Sequence, residues 1–267
     1  MLSLKQIIEY YPQSIGKFKR HLLREYLQYK ILEIIFNSKI GSKLVFIGGT
    51  SLRLVYGNQR FSENLDFDNF NLSRQEFISL SNLVKKKLDE EGLKTEIKIV
   101  FKDAFRCYVK ILELLYKEAL SSMDSEKINI QIDAFSQDFD FNPRLYNLDK
   151  FDVFSKIKVA PLDLLLAQKI FAIFNRKRRK GRDFFDIDFM ISNKNITPDF
   201  NYLKQKMNIM NPQQLKEKLK KDLQTVDFGE MAEEVEDFLF NPKQKERVIN
   251  FYNSIDGWSF KERSINM

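Results

Sequence analysis

Between residues 64 and 70 the chain alternates Leu65, Phe67 and Asn69 with Asp66, Asp68 and Phe70. Period two is the side-chain repeat of a β-strand, so the segment predicts a strand carrying both acids on one face. Just upstream, residues 43–47 read as a short buried strand running into Gly48 and Gly49, and residues 50–56 fit a helical turn or two. Strand, glycine turn, short helix and acidic strand, in that order, point to a mixed α and β arrangement.

The flanks extend that reading. Residues 4–38 place Ile7, Ile8, Leu22, Leu23, Tyr26, Leu27, Ile31 and Ile35 at helical spacing, a helical lead-in. Ser73 with Glu76 three residues later is a capping box for a helix running to about Glu91 and closed by Gly92. Strand-like stretches follow at 94–101, 104–113 and 127–135. From Pro161 onward helical patterns take over, at about 161–175, 182–192, 212–222, 229–240 and 243–254. The expected fold is α/β (α+β), a mixed sheet with flanking helices plus a mostly helical C-terminal region. The domains are expected at 1–155, the sheet core with its lead-in, and 156–267, the helical part.

Charge and cysteine content narrow the setting. Lys and Arg number 44 against 37 Asp and Glu, a net +7 that favours meeting a polyanion without requiring it. Cys107 is the single cysteine, which excludes an internal disulfide and argues against a cysteine-based zinc site. The N-terminus lacks a basic stretch followed by an apolar core, and no apolar run reaches the length of a membrane span. A cytoplasmic protein that does not enter a membrane is expected.

The chemistry concentrates around the acidic strand. Gly48 and Gly49 let the backbone approach a triphosphate, the first N–H groups of the following helix favour anionic oxygens, and Thr50 and Ser51 add hydroxyls. Asp66 and Asp68, sharing a strand face, present hard oxygen ligands to one or two magnesium ions, with manganese as a substitute. A third acid is expected on a neighbouring strand, and Asp133 fits. Arg60 is placed to hold Asp66 or the nucleotide, and Ser62 to orient the metal acids. Taken singly, Gly-Gly is an ordinary turn and Asp-x-Asp an ordinary solvent-facing pair; their order along the chain carries the reading.

Farther along, Arg176, Lys177, Arg178, Arg179, Lys180 and Arg182 form the densest basic run, either a solvated loop or a contact for NTP or RNA phosphates. Lys169 interrupts an apolar helix and by physics alone could simply reach to solvent. His21 and Cys107 read as packing residues.

The segments Gly48-Gly49-Thr50-Ser51-Leu52-Arg53-Leu54-Val55-Tyr56-Gly57, Arg60-Phe61-Ser62 and Leu65-Asp66-Phe67-Asp68 resemble the signature of AbiEii-type nucleotidyltransferases, toxins of type IV toxin–antitoxin systems within the polymerase-beta-like superfamily. Two further blocks, residues 159–169 and 180–187, extend the resemblance, which spans 48–187 and leaves both ends of the chain to physics. It implies a nucleotidyltransferase-like sheet and transfer of NMP from an NTP to an acceptor. It places Lys169 in the active site with the Asp-x-Asp pair, together with either Asp183 or Asp186. The acceptor it suggests is the 3′ end of tRNA, with an antitoxin encoded nearby. A small-molecule or protein-hydroxyl acceptor, or a noncatalytic nucleotide- or RNA-binding protein, are the competing readings.

Overall fold

Asp66 and Asp68 lie on the central strand of a seven-stranded mixed sheet, ordered β3-β4-β5-β2-β1-β7-β6. The computed structural model describes residues 1–136 and 138–260. The strands are β1 (Leu44–Ile47), β2 (Leu65–Asn69), β3 (Lys94–Phe101), β4 (Phe105–Leu112), β5 (Ile128–Ser136), β6 (Arg144–Lys150) and β7 (Val153–Val159). The helices are α1 (Leu4–Glu9), α2 (Lys19–Phe36), α3 (Gly48–Leu54), α4 (Arg74–Glu90), α5 (Leu114–Lys117), α6 (Leu162–Asn175), α7 (Gly181–Asp188), α8 (Phe200–Met207), α9 (Pro212–Asp222), α10 (Phe228–Glu236), α11 (Glu246–Ile249) and α12 (Phe251–Ser254). Contacts divide the chain into two units, residues 1–57 with 61–160, and residues 58–60 with the chain from Pro161 onward.

In the first unit, β2 pairs antiparallel with β1 and parallel with β5, which fixes the neighbours of the acids. Asp66 stands opposite Ile47 on one side and Asp133 on the other. Phe46, Leu65, Phe67, Ile130 and Ile132 are buried around them, so a register slip of one residue would drive the acids into the core. Helix α4 begins at the expected capping box: Ser73 Oγ accepts from the Glu76 N–H at 3.2 Å, and Glu76 Oε2 accepts from the Ser73 N–H at 2.8 Å.

The helical lead-in is two helices, because Pro12 falls between α1 and α2 and cannot continue an α-helical hydrogen-bond ladder. Glu25 of α2 is buried and takes four donors: Arg53 Nε at 2.9 Å and Nη2 at 3.2 Å, Lys150 Nζ at 3.2 Å and the Tyr11 hydroxyl at 2.8 Å. Arg53 belongs to α3, the helix that starts at Gly48, so this carboxylate ties the lead-in to the glycine turn. Burial opposes the Glu25 charge, but Arg53 and Lys150 outweigh it and hold the carboxyl below its usual range.

The second unit is helical, with α7 packed against α6, α10 and α11. Gly181 opens α7 so close to α10 that a Cβ there would lie 1.8 Å from the Met231 carbonyl oxygen. Residues 58–60 join this unit through a β-bridge between Arg60 and Leu239 and a hydrogen bond from the Phe240 N–H to the Gln59 carbonyl. After Asp188 the backbone widens into a π-helical turn, Phe189–Asn193. No helix among the described residues is long and apolar enough to cross a membrane.

Candidate active site

Across β4, β5, β2 and β1 runs one row of directly paired residues: Arg106, Asp133, Asp66 and Ile47. Paired residues share a sheet face, and Asp68 lies two residues along from Asp66, so the three acids project to one side. Asp68 and Asp133 are almost fully buried, 4% exposed each. Gly48 follows Ile47 at the end of the row with φ +78°, and its α-carbon sits so near Asp66 that a Cβ would fall 2.4 Å from Oδ2. Only glycine meets both demands, which puts the turn backbone directly against the first acid.

The hydroxyls of the turn are engaged within it. Ser51 Oγ donates to the Gly48 carbonyl at 2.9 Å, and Thr50 Oγ1 donates to the Asn64 carbonyl; both residues are fully buried. The Ser51 bond closes the turn on itself, and the Thr50 bond braces it against the residue before β2. Ser62 is half-buried, and its carbonyl accepts from Gln28 Nε2 at 3.0 Å.

Asp133 is held by two side chains the sequence did not single out. Arg106 Nε donates to Oδ1 at 2.7 Å, and Gln131 Nε2 donates to Oδ2 at 2.6 Å. Alternation along β4, with Cys107 and Val109 buried, would have placed Arg106 on the outward face. Its pairing with Asp133 needed the β4–β5 register.

In the second unit, Lys169 of α6 reaches both aspartates of α7. Its Nζ is 2.7 Å from Asp183 Oδ1 and 2.8 Å from Asp186 Oδ2. The spacing of three puts both carboxylates on adjacent faces of the first turns of α7, where a single ammonium can bridge them. Arg60 clamps Asp186 from the other side, Nε to Oδ1 at 2.7 Å and Nη2 to Oδ2 at 2.6 Å, and Asn58 Nδ2 adds a bond to Oδ1 at 2.7 Å. Arg176 Nη1 reaches Asp183 at 2.6 Å. Burial disfavours the Lys169 charge, yet Asp183 and Asp186 raise its pKa above the ordinary lysine value. Burial likewise opposes the Asp186 charge, and Arg60 and Lys169 overcome it and lower that pKa. Arg60 therefore sits on Asp186, a partner 126 residues away.

The basic run divides. Arg179 donates to the carbonyls of Ile173 and Asp222, Lys180 pairs with Glu234 at 3.3 Å, and Arg182 lies over the Phe238 ring. Arg176, Lys177 and Arg178 are exposed, Arg178 with only a long 3.5 Å contact to Glu230. His21 stacks on Phe61 and Cys107 is buried, its thiol pushed up to about 11 by that burial, so both are packing residues.

The acids offer hard oxygen donors of the kind a divalent cation takes. Among the described residues no three acid, histidine or cysteine side chains are drawn together into a group able to hold a metal ion. Asp66 and Asp68 fit such an ion by donor type and by shared face; the Asp133 oxygens accept from Arg106 and Gln131.

The sequence model of the nucleotidyl transferase AbiEii toxin of type IV toxin–antitoxin systems matches residues 30–257. The chain belongs to the AbiEii family. The match takes in the Gly48 turn, the acidic strand and the Lys169 cluster together, and it makes the protein a nucleotidyltransferase of a toxin–antitoxin family. Among solved structures, JHP933 from Helicobacter pylori matches with a TM-score of 0.55 at 18% identity, over 89% of this chain and 90% of that one. A second H. pylori structure, described as that of a candidate nucleotidyltransferase, matches with a TM-score of 0.56 at 18% identity, over 89% and 95%. At that identity the likeness is one of fold, and it carries the AbiEii chain's mixed sheet and helices. No protein of curated function matches the chain.

Proposed function

We propose that this AbiEii-family protein transfers a nucleoside monophosphate from an NTP to the 3′ end of a tRNA, as a toxin restrained by an antitoxin encoded nearby. The observation that carries the reading is the paired row in which Asp66 and Asp133 stand side by side, with Asp68 on the same face and the Gly48 backbone against Asp66. A carboxylate pair beside a turn that admits no Cβ suits a polyanion whose charge is met in part by a metal ion.

Asp66 and Asp68 would hold the cation, magnesium in the first instance. Once bound, it would neutralise phosphate charge and align the attacking and leaving oxygens. The Gly48–Gly49 backbone would seat the triphosphate, braced by the Thr50 and Ser51 hydrogen bonds. Asp133 would orient the acceptor hydroxyl or accept its proton. Lys169, held charged by Asp183 and Asp186, would act as a fixed positive point charge. Arg60 would fix Asp186 so that Lys169 keeps one position. For the RNA, the exposed Arg176, Lys177 and Arg178 supply a sequence-independent phosphate contact, in keeping with the net charge of +7.

The test of the acceptor is incubation of the purified protein with magnesium and each α-labelled NTP in turn, against total bacterial RNA, total protein and a panel of aminoglycosides. Label on tRNA-sized RNA that is lost when the tRNA 3′ terminus is removed supports the proposal. Label on protein or on the small molecules, with none on RNA, refutes the tRNA part and keeps the chemistry.

A further inference from the structure

Arg106 sits on the face that carries the three acids, paired in register with Asp133, and its side chain is about one-third exposed while that of Asp133 is 5% exposed. It is the cation bonded to the third acid, whereas the other donor, Gln131, is neutral. From these relationships, and resting on the proposed metal site, we infer that Arg106 is a phosphate-binding residue held in reserve. Without a divalent cation it neutralises Asp133; when one is held by Asp66 and Asp68, its guanidinium leaves Asp133 and engages the phosphates of the NTP.

Charge supports the exchange. Three carboxylates on one face repel one another, and Arg106 relieves this by occupying Asp133 Oδ1 through Nε at 2.7 Å. A divalent cation held by the neighbouring Asp66 and Asp68 removes the need for that neutralisation and repels the guanidinium, so the two cannot both be bound tightly. The triphosphate supplies the anion that the displaced guanidinium then needs, and a guanidinium fork matches phosphate oxygens in two-point geometry.

Distance supports it as well. From Arg106 on β4 to the Gly48 turn beyond β1 the row crosses three strand spacings, about 14 Å at about 4.8 Å per strand. An extended arginine together with a triphosphate lying along the acids covers that span. Gln131 remains on Asp133 Oδ2 at 2.6 Å and keeps the carboxylate oriented after Arg106 departs.

The experiment compares wild type, Arg106→Ala and Arg106→Lys for binding of Mn²⁺ without nucleotide, by titration calorimetry. It then compares their binding of α,β-methylene NTP analogues in saturating Mn²⁺. The inference expects Arg106→Ala to bind Mn²⁺ about tenfold more tightly and the analogue about tenfold more weakly, each equivalent to about 1.4 kcal/mol. Arg106→Lys should fall between. Opposite signs separate this role from structural damage, which weakens both. Equal Mn²⁺ affinity in wild type and Arg106→Ala, or a loss of both affinities, overturns the inference while leaving the metal site in place. Absence of Mn²⁺ binding in every variant overturns the inference and the proposed metal site together, and binding by Arg106→Ala alone supports both.

Discussion

Arg60 and Asp186 form a two-point ion pair with nitrogen–oxygen distances of 2.7 and 2.6 Å, buried to 2% and 0% side-chain exposure. Breaking a buried pair leaves one charge without its partner, a loss of about 3–5 kcal/mol. Here Lys169 and Asn58 stay on Asp186, so the lower end of that range is expected for Arg60→Ala. Urea unfolding should show a midpoint shift of that size with an unchanged slope. A loss below about 1 kcal/mol would mean the pair contributes little.

Gly48→Ala is expected to damage chemistry more than folding. The backbone at φ +78° costs a side chain about 1–3 kcal/mol, and the added Cβ meets Asp66 Oδ2, which must move. Nucleotidyl transfer should drop at least as far as with Asp66→Ala, while a thermal melt shows a folded protein. Activity near the wild-type level would show that Asp66 can shift without consequence.

The buried carboxylates make stability sensitive to acid. Glu25 and Asp186 both have pKa values lowered in the fold, in each case because neighbouring cations outweigh burial. A lowered folded pKa contributes stability that is fully present above the unfolded value, about 4 for these side chains, and is lost as the pH falls through the folded value. The melting temperature should therefore be flat from neutral pH down to about 5 and fall below that. The Glu25→Gln, Asp186→Asn double variant, less stable at neutral pH, should show a shallower decline. A decline as steep as that of the wild type would place the acid sensitivity elsewhere.

How much of this could be read from the chain depends on how local each feature is. The acidic strand, the glycine turn and the α4 capping box are encoded within a few residues and appear in the structure as read. Strand β6 was not read, because as an edge strand it buries only Leu148 and shows no apolar alternation. Strand β7 does alternate Val153, Ser155, Ile157 and Val159 inward, a signal that the outward Phe154, 70% exposed, and the buried Ser155 break. Helix α8 was passed over as well, although Asp199 caps it by accepting from the N–H groups of Asn201 and Tyr202. The partners of Arg60, Arg106 and Glu25 lie far off in sequence and are fixed by register and packing, which no local pattern reports. Lys169 illustrates the limit: its neighbours gave only an apolar helix, and the two aspartates that hold it come from the next one.

The central claim is that Asp66 and Asp68 carry the nucleotidyl transfer. Its most direct test is pyrophosphate release from NTP in the presence of the tRNA acceptor and magnesium, for wild type and for Asp66→Asn, Asp68→Asn, with melting curves matched. The account predicts release by the wild type that is abolished by chelation and lost by several orders of magnitude in the folded double variant. Undiminished release from that variant would contradict it.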